Sequence, residues 1–229
     1  MTIPKRSRAH LRAIQIDEIK RVAKVQLVTK GVSGVSLREI ARDLGLVSSA
    51  LYRYFSTRDE LLTALILDAY NELGEAVEKA EASVVCDDTF GRWRAACLAI
   101  RQWASAHPHE YTLLYGTPLL DYHAPDQTIA PASRVTLVLG RIVGDAHRRR
   151  PPSAIPTGNE DVTSWLNVSN FAQALPGVPT LYYVRALIAW SEIFGFLSFE
   201  LFGHFKGSII DYEKAFSHVV EELANFVLY

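Results

Sequence analysis

At 229 residues, with 49% hydrophobic and 21% charged side chains, the chain has the composition of one large or two small globular domains. Its formal net charge of −1 is unevenly spread: residues 1–60 carry 12 Lys/Arg against 6 Asp/Glu, and the rest carry 12 against 19. Such a basic head on an acidic body points to a polyanion met by the head alone. Cys86 and Cys97 lie 11 positions apart, which is neither a disulfide framework nor a metal-ligand spacing, so a reducing cytoplasm is the expected home. The N-terminus "MTIPKRSRAHLRAIQ" is basic but lacks the apolar run of a signal peptide. The most apolar stretch, "LYYVRALIAWSEIFGFLSFELFG", is interrupted by Arg185, Glu192 and Glu200. It therefore reads as a buried helix, and no membrane partner is expected.

In chain order, residues 11–30 are predicted helical, with Ile16, Ile19, Val22, Ala23 and Leu27 at steps of three and four and Gly31 just past the end. Ser36 and Glu39 have capping-box spacing, and Val35 with Ile40 that of a hydrophobic staple, so a second helix, "LREIARDL", starts there and stops at Gly45. A turn of about three residues leads into "SSALYRYF" (48–55). Thr57 and Glu60 then form a second capping box and launch a helix to about Ala82. Two short helices joined by a tight turn and buttressed by others follow the helix-turn-helix pattern. In it the second helix enters the major groove while the first crosses the backbone.

The body reads as helical throughout. Asp87 or Asp88 caps a helix to about Ala106, Pro108 opens a short one ending near Gly116, and 117–130 is a loop. Further helices are expected from Pro131 to Arg150, over 159–174, over 179–203, and from Asp211 to the end. The Arg148–Arg150 run suits a solvated helix C-terminus, where the dipole favours cations. The expected fold class is all-α, with about nine or ten helices. A DNA-binding head covers residues 1–57 and a helical ligand-binding and dimerisation body covers 58–229, with helix 58–82 linking them.

On a helical wheel of 48–55, Leu51 and Phe55 face the core while Ser49, Tyr52 and Arg53 stand on the far side. An exposed helix face of this kind is ordinary by itself; the basic head and tight turn make it a nucleic-acid surface. The Tyr52 hydroxyl can donate to phosphate, and Arg53 can reach phosphate or a guanine edge. Ser48 and Ser49 are short enough to let the helix approach the groove floor. Arg58 adds charge in the next helix's first turn, beside free N–H groups. Arg38 and the basic arm Lys5, Arg6 and Arg8 complete the candidate DNA contacts. That arm, with Arg12, is expected to be disordered in the free protein.

The stretch "VSLREIARDLGLVSSALYRYFSTRDELL" resembles the DNA-binding domain of TetR-type transcriptional regulators. The resemblance runs from Ile19 to Leu62, with Gly31, Ser36, Ile40–Ala41, Gly45, Leu51–Tyr52, Phe55 and Leu61 in register. It implies that 48–54 is the recognition helix and that Tyr52 grips phosphate. Tyr54 stands where a histidine is common, and Arg58 where a lysine is usual. Val47 departs from the pattern, holding a position where a Ser or Thr often caps the helix, a loss of about 1 kcal/mol. "WSEIFGFLSFELFGH" (190–204) resembles more weakly the WHG-type C-terminal domain of one branch. Trp190 and Gly195 match it, and Phe194 replaces the histidine.

The resemblance implies a homodimer built on the last two long helices, and a small-molecule effector that lowers affinity for a palindromic double-stranded operator. Phe199, Phe216, Val220, Leu223 and Val227 are the candidate dimer residues, because so wide an apolar stripe exceeds what one helix–helix contact requires. Trp93, Trp103, Tyr111, Tyr115, Trp190 and Phe194 are pocket candidates. Residue for residue, core packing explains them better than a pocket does, and their lack of charge points to a mainly apolar effector. The rival readings are a DNA-architectural helical protein without effector, and an all-α enzyme. No hydrolase, phosphate-loop or dinucleotide motif is present, so no catalytic residue and no cofactor is expected. Glu200 and His204, four apart, read as a hydrogen-bonded pair rather than metal ligands.

Overall fold

The structure, a computed structural model, describes residues 8–116, 118, 122–149, 165–167, 169, 172 and 178–229. Nine α-helices occur among them, with no strand: α1 (Arg8–Lys30), α2 (Leu37–Asp43), α3 (Ser48–Leu51), α4 (Arg58–Ala82), α5 (Thr89–Ala106), α6 (Pro108–Tyr115), α7 (Ile129–Arg149), α8 (Thr180–Leu201) and α9 (Tyr212–Leu228). The helix expected over 159–174 lies mostly outside the described residues. No described helix is long and apolar enough to cross a membrane.

The chain divides into two compact units: Met1–Ala69 with His109–Thr128, and Tyr70–Pro108 with Ile129–Tyr229. The division falls inside α4. The first unit thus takes in that helix's opening turns and the distant segment 109–128, as well as the expected head.

In the first unit α1 buries Ile19, Val22, Ala23 and Leu27. Leu37, Ile40 and Ala41 of α2, Leu51 of α3 and Leu61, Leu62 and Leu65 of α4 are buried in the same unit, where α1 packs on α2 and α2 on α3. The turn from α2 into α3 pivots on Gly45, whose φ of 67° is left-handed backbone that suits glycine. Leu46 N–H closes that turn on Ala41 O at 2.8 Å.

Capping differs from expectation at α2. Ser36 precedes the helix in extended conformation but makes no side-chain cap bond. Instead the buried Gln26 accepts the Ser36 N–H at 3.0 Å, and Glu39 pairs with Lys30. A long side chain from α1 outcompetes the local box because it satisfies the same N–H while filling the core. At α4 the Thr57 hydroxyl does accept from Glu60 N–H at 3.1 Å. Glu60 reaches back one residue further, to Ser56 N–H and hydroxyl, both at 2.7 Å. Those two donors hold its carboxyl below the ordinary glutamate pKa.

In the second unit α9 packs on α5 and α8, and α5 on α7. Asp88 caps α5 by accepting from Gly91 N–H, and Asp211 caps α9 by accepting from Lys214 N–H. Trp93 is fully buried, and its indole N–H donates to Val220 O at 3.1 Å. Arg92, also buried, bonds Glu81 at 2.7 Å and Asp145 at 2.8 Å, tying α4, α5 and α7 through charge. Burial alone would raise the Asp145 carboxyl, but the Arg92 and Arg148 guanidiniums hold it below the ordinary aspartate value. The thiol of Cys97 is pushed well up by burial and is inert packing.

Candidate nucleic-acid interface

The regular α-helix of α3 is one turn, Ser48–Leu51, shorter than the expected 48–55. Helical bonding continues past it: Tyr52 N–H reaches Ser48 O at 3.1 Å, Tyr54 N–H reaches Leu51 O at 2.8 Å in a tightened turn, and Phe55 N–H shares that carbonyl at 3.2 Å. Val47 occupies the cap position and, as its side chain dictates, offers no cap bond. Leu51 and Phe55 are buried, so the helix is pinned on one side. Ser48, Ser49, Tyr52 and Arg53 are all exposed on the other. Arg38 is exposed on α2.

Tyr54 and Arg58 are placed differently from those five. Tyr54 is half-buried and receives the Arg12 guanidinium over its ring at 5.2 Å. Arg12 also donates to Arg53 O at 3.4 Å, so α1 braces the stretch that follows α3. Arg58 donates through Nε to Val35 O at 3.0 Å and through Nη2 to Val32 O at 2.7 Å. It thereby holds the connection between α1 and α2 in place. Arg8 and Arg12 are helical, not part of a disordered arm, because α1 starts at Arg8. Lys5 and Arg6 lie outside the described residues.

The supporting roles of Gln26, Arg12 and Arg58 were not legible from spacing. Gln26 was the nearest to a signal, a polar residue on the buried face of α1 between Ala23 and Leu27. Its amide donates toward Asp43 at 3.4 Å, so it touches both ends of α2. Also in this unit, an open cavity of about 350 Å³ lies beside Thr63, Leu67, Tyr122 and His123. There the hydroxyls of Thr63 and Tyr122 stand 2.9 Å apart.

The pocket candidates are distributed over both units. Tyr111 is buried and Tyr115 half-buried in the first, with ring centroids 5.2 Å apart. In the second unit Trp103 is buried and stacked on His107, and Trp190 lies against Phe194. The indole N–H of Trp103 is a buried donor with no hydrogen-bond partner among the described residues. Trp93, by contrast, is a satisfied core tryptophan.

The expected dimer stripe is largely packed inside one chain. Phe216, Val220, Leu223 and Val227 are all buried within a single chain. The reason is that α9 is packed by both α5 and α8, which cover these four side chains, while Val219 is half-buried and Phe226 stays exposed. Of the five residues only Phe199 is exposed. It shares the outward face of α8 with Ile188, Ser191, Glu192 and Gly195, and Phe202 is exposed just beyond the helix. Nor do Glu200 and His204 form a pair. Arg101 grips Glu200 with two bonds of 2.6 and 3.0 Å, while the His204 ring lies against Phe199. Arg185 caps the last helix, donating to Phe226 O at 3.0 Å between the rings of Tyr182 and Phe226.

Comparison with known proteins places this geometry. The profile "Bacterial regulatory proteins, tetR family" matches residues 19–65, and "Tetracyclin repressor-like, C-terminal domain" matches 93–223. HTH-type transcriptional regulator Rv1816 of Mycobacterium tuberculosis is 35% identical over 203 residues, covering 84% of this chain and 83% of its own. Among solved structures, the candidate regulatory protein SCO4313 superposes with a TM-score of 0.78 at 32% identity, over 96% of this chain and 99% of that one. A Rhodococcus sp. RHA1 protein of unknown function shares the fold, with a TM-score of 0.69 at 22% identity over 93% and 95% of the two chains. With a helix-turn-helix head and a C-terminal profile covering more than half its length, this chain belongs to the TetR family of bacterial transcriptional regulators.

Proposed function

We propose that this regulator is a repressor. It binds a palindromic operator as a homodimer and leaves it when a small, mainly apolar effector enters the body. The observation that carries the reading is the division of labour on α3: Leu51 and Phe55 are buried, while Ser48, Ser49, Tyr52 and Arg53 are exposed together. A short helix so anchored can lay its far side into a major groove. Arg38 would reach phosphate from α2, and Lys5, Arg6 and Arg8 would supply charge from the N-terminus. Arg58 acts chiefly as the strut described above, with its remaining N–H groups available to phosphate.

The functional division stays at residues 57/58, with α4 as the connector through which an effector-driven change of helix spacing reaches the head. The effector reading is supported by Trp103, since a buried donor without a partner costs free energy until an acceptor arrives. An effector combining an apolar body with one acceptor fits that need. Dimerisation is assigned to the outward face of α8, where Ile188 and Phe199 are exposed, with Phe202 just beyond, and Gly195 lets two backbones approach closely. The protein works in a reducing cytoplasm, needs no cofactor or metal and catalyses no reaction.

The test is selection of bound duplexes from a random pool by the full chain, followed by titration with apolar small molecules. Enrichment of an inverted repeat, released by at least one compound class, supports the reading. Binding without sequence preference and without release would favour the DNA-architectural alternative.

A further inference from the structure

The α1 helix carries a second stripe that the head does not use. Leu11, Ile14, Val25 and Val28 are exposed by 52%, 43%, 51% and 52%, although the opposite side of the helix is buried. With Glu18 and Arg21 they occupy positions 11, 14, 18, 21, 25 and 28, alternating steps of three and four that keep one face of a helix. Glu18 and Arg21 fill the middle, paired at 2.7 Å and open to solvent. The contacts of Arg12 with α3 leave from another side of the helix.

The order of this stripe is symmetric about its own centre. Run antiparallel against a copy of itself, it sets Leu11 opposite Val28, Ile14 opposite Val25, and Glu18 opposite Arg21. Each apolar residue meets an apolar one, and each charge meets its opposite twice over. That is the requirement for an isologous two-fold contact, in which one patch serves both sides. A partner of different sequence would not need the match.

We propose that α1 is a head-to-head interface for a second copy of this chain, joining neighbouring dimers on DNA. The patch is small. Four half-exposed aliphatic side chains amount to on the order of 300 Å² per copy, against roughly 800 Å² per partner in a standard interface. The contact is therefore too weak to assemble dimers in free solution, and closes when DNA holds two heads side by side at high effective concentration. The consequence is cooperative occupation of adjacent sites. This step rests on the DNA-binding reading only through the DNA that brings the heads together.

The experiment uses the full chain with a duplex selected from a random pool, carrying one site or two abutting copies. Wild type is expected to bind the second site about tenfold more tightly than the first. Glu18→Arg or Arg21→Glu alone should abolish that gain, and the double exchange Glu18→Arg/Arg21→Glu should restore it, with single-site affinity unchanged throughout. In a Cys86→Ser background, a short bismaleimide should join chains carrying both Ile14→Cys and Val25→Cys, and spare those carrying Ile14→Cys alone. The same pattern, fainter, is expected at high protein concentration without DNA, which tests the contact even if single-site binding fails. Failure of single-site binding itself would tell against the DNA-binding reading. Equal affinity for both sites in wild type, no rescue by the double exchange, or equal cross-linking by Ile14→Cys alone would overturn the inference.

Discussion

Arg58 and Val35, 23 positions apart in sequence, are joined by a 3.0 Å hydrogen bond from guanidinium Nε to carbonyl oxygen. With the second bond to Val32 O at 2.7 Å, the first turn of α4 fixes the loop between α1 and α2. The planar guanidinium presents two donors already aimed at the two carbonyls, whereas a lysine must order a flexible stem to reach both. Arg58→Ala should lower the unfolding free energy of the head by about 1–3 kcal/mol, and Arg58→Lys by less. Denaturant unfolding followed by circular dichroism checks this; unchanged midpoints in both variants would return Arg58 to a pure phosphate role.

Tyr52 offers the contrast. It is exposed and carries no burial that its hydroxyl supports. Tyr52→Phe should leave stability within about 0.5 kcal/mol while weakening binding to specific and non-specific duplexes alike. Arg53→Ala and Arg38→Ala should each reduce the slope of log affinity against log salt by about one if they contact phosphate. Fluorescence anisotropy over a salt series measures both.

The assignment of the dimer surface is sharply testable because the sequence stripe and the exposed stripe differ. Phe199→Glu, on the outward face of α8, should give a folded chain that sediments as a monomer. Leu223→Glu should misfold, since a charge would be placed in a core that is already filled within one chain. Sedimentation velocity with circular dichroism separates the two outcomes. A folded Phe199→Glu dimer would move the interface away from α8.

The charge cluster of Arg92, Glu81 and Asp145 predicts acid sensitivity. Asp145 is held below its ordinary value in the folded chain, so its stabilisation is fully present above the unfolded aspartate pKa of about 4. It is lost as pH falls through the depressed folded value. Urea midpoints should hold steady from neutral pH to about pH 5, then fall, and Asp145→Asn should flatten that fall. Arg92→Met leaves Glu81 and Asp145 without their buried partner, and should cost about 3–5 kcal/mol at neutral pH.

Trp93 and Trp103 should respond unequally to loss of their indole N–H. Trp93→Phe strands the Val220 carbonyl and leaves a void, and should cost at least 1–3 kcal/mol. Trp103→Phe removes a donor that has no partner among the described residues, so it forfeits volume but no bond. Calorimetric unfolding of the two variants checks the ordering, with Trp93→Phe the less stable.

Much of this protein was determined by local sequence. The apolar spacing of α1, the glycine at the α2–α3 turn, and the caps Thr57, Asp88 and Asp211 act within a few residues. Their outcome is therefore fixed before any tertiary contact forms. The outward set on α3 follows from the same 3.6-residue period, given Leu51 and Phe55 as anchors. Wherever a side chain long enough to choose its partner was involved, tertiary structure decided. Gln26 displaced the capping box at Ser36, Arg58 turned inward to two carbonyls, and Glu200 went to Arg101 instead of His204. The apolar stripe of α9 was equally ambiguous. Periodicity marks which face is buried but not how many neighbours bury it, and only packing by both α5 and α8 shows that Phe216, Val220, Leu223 and Val227 are covered within one chain.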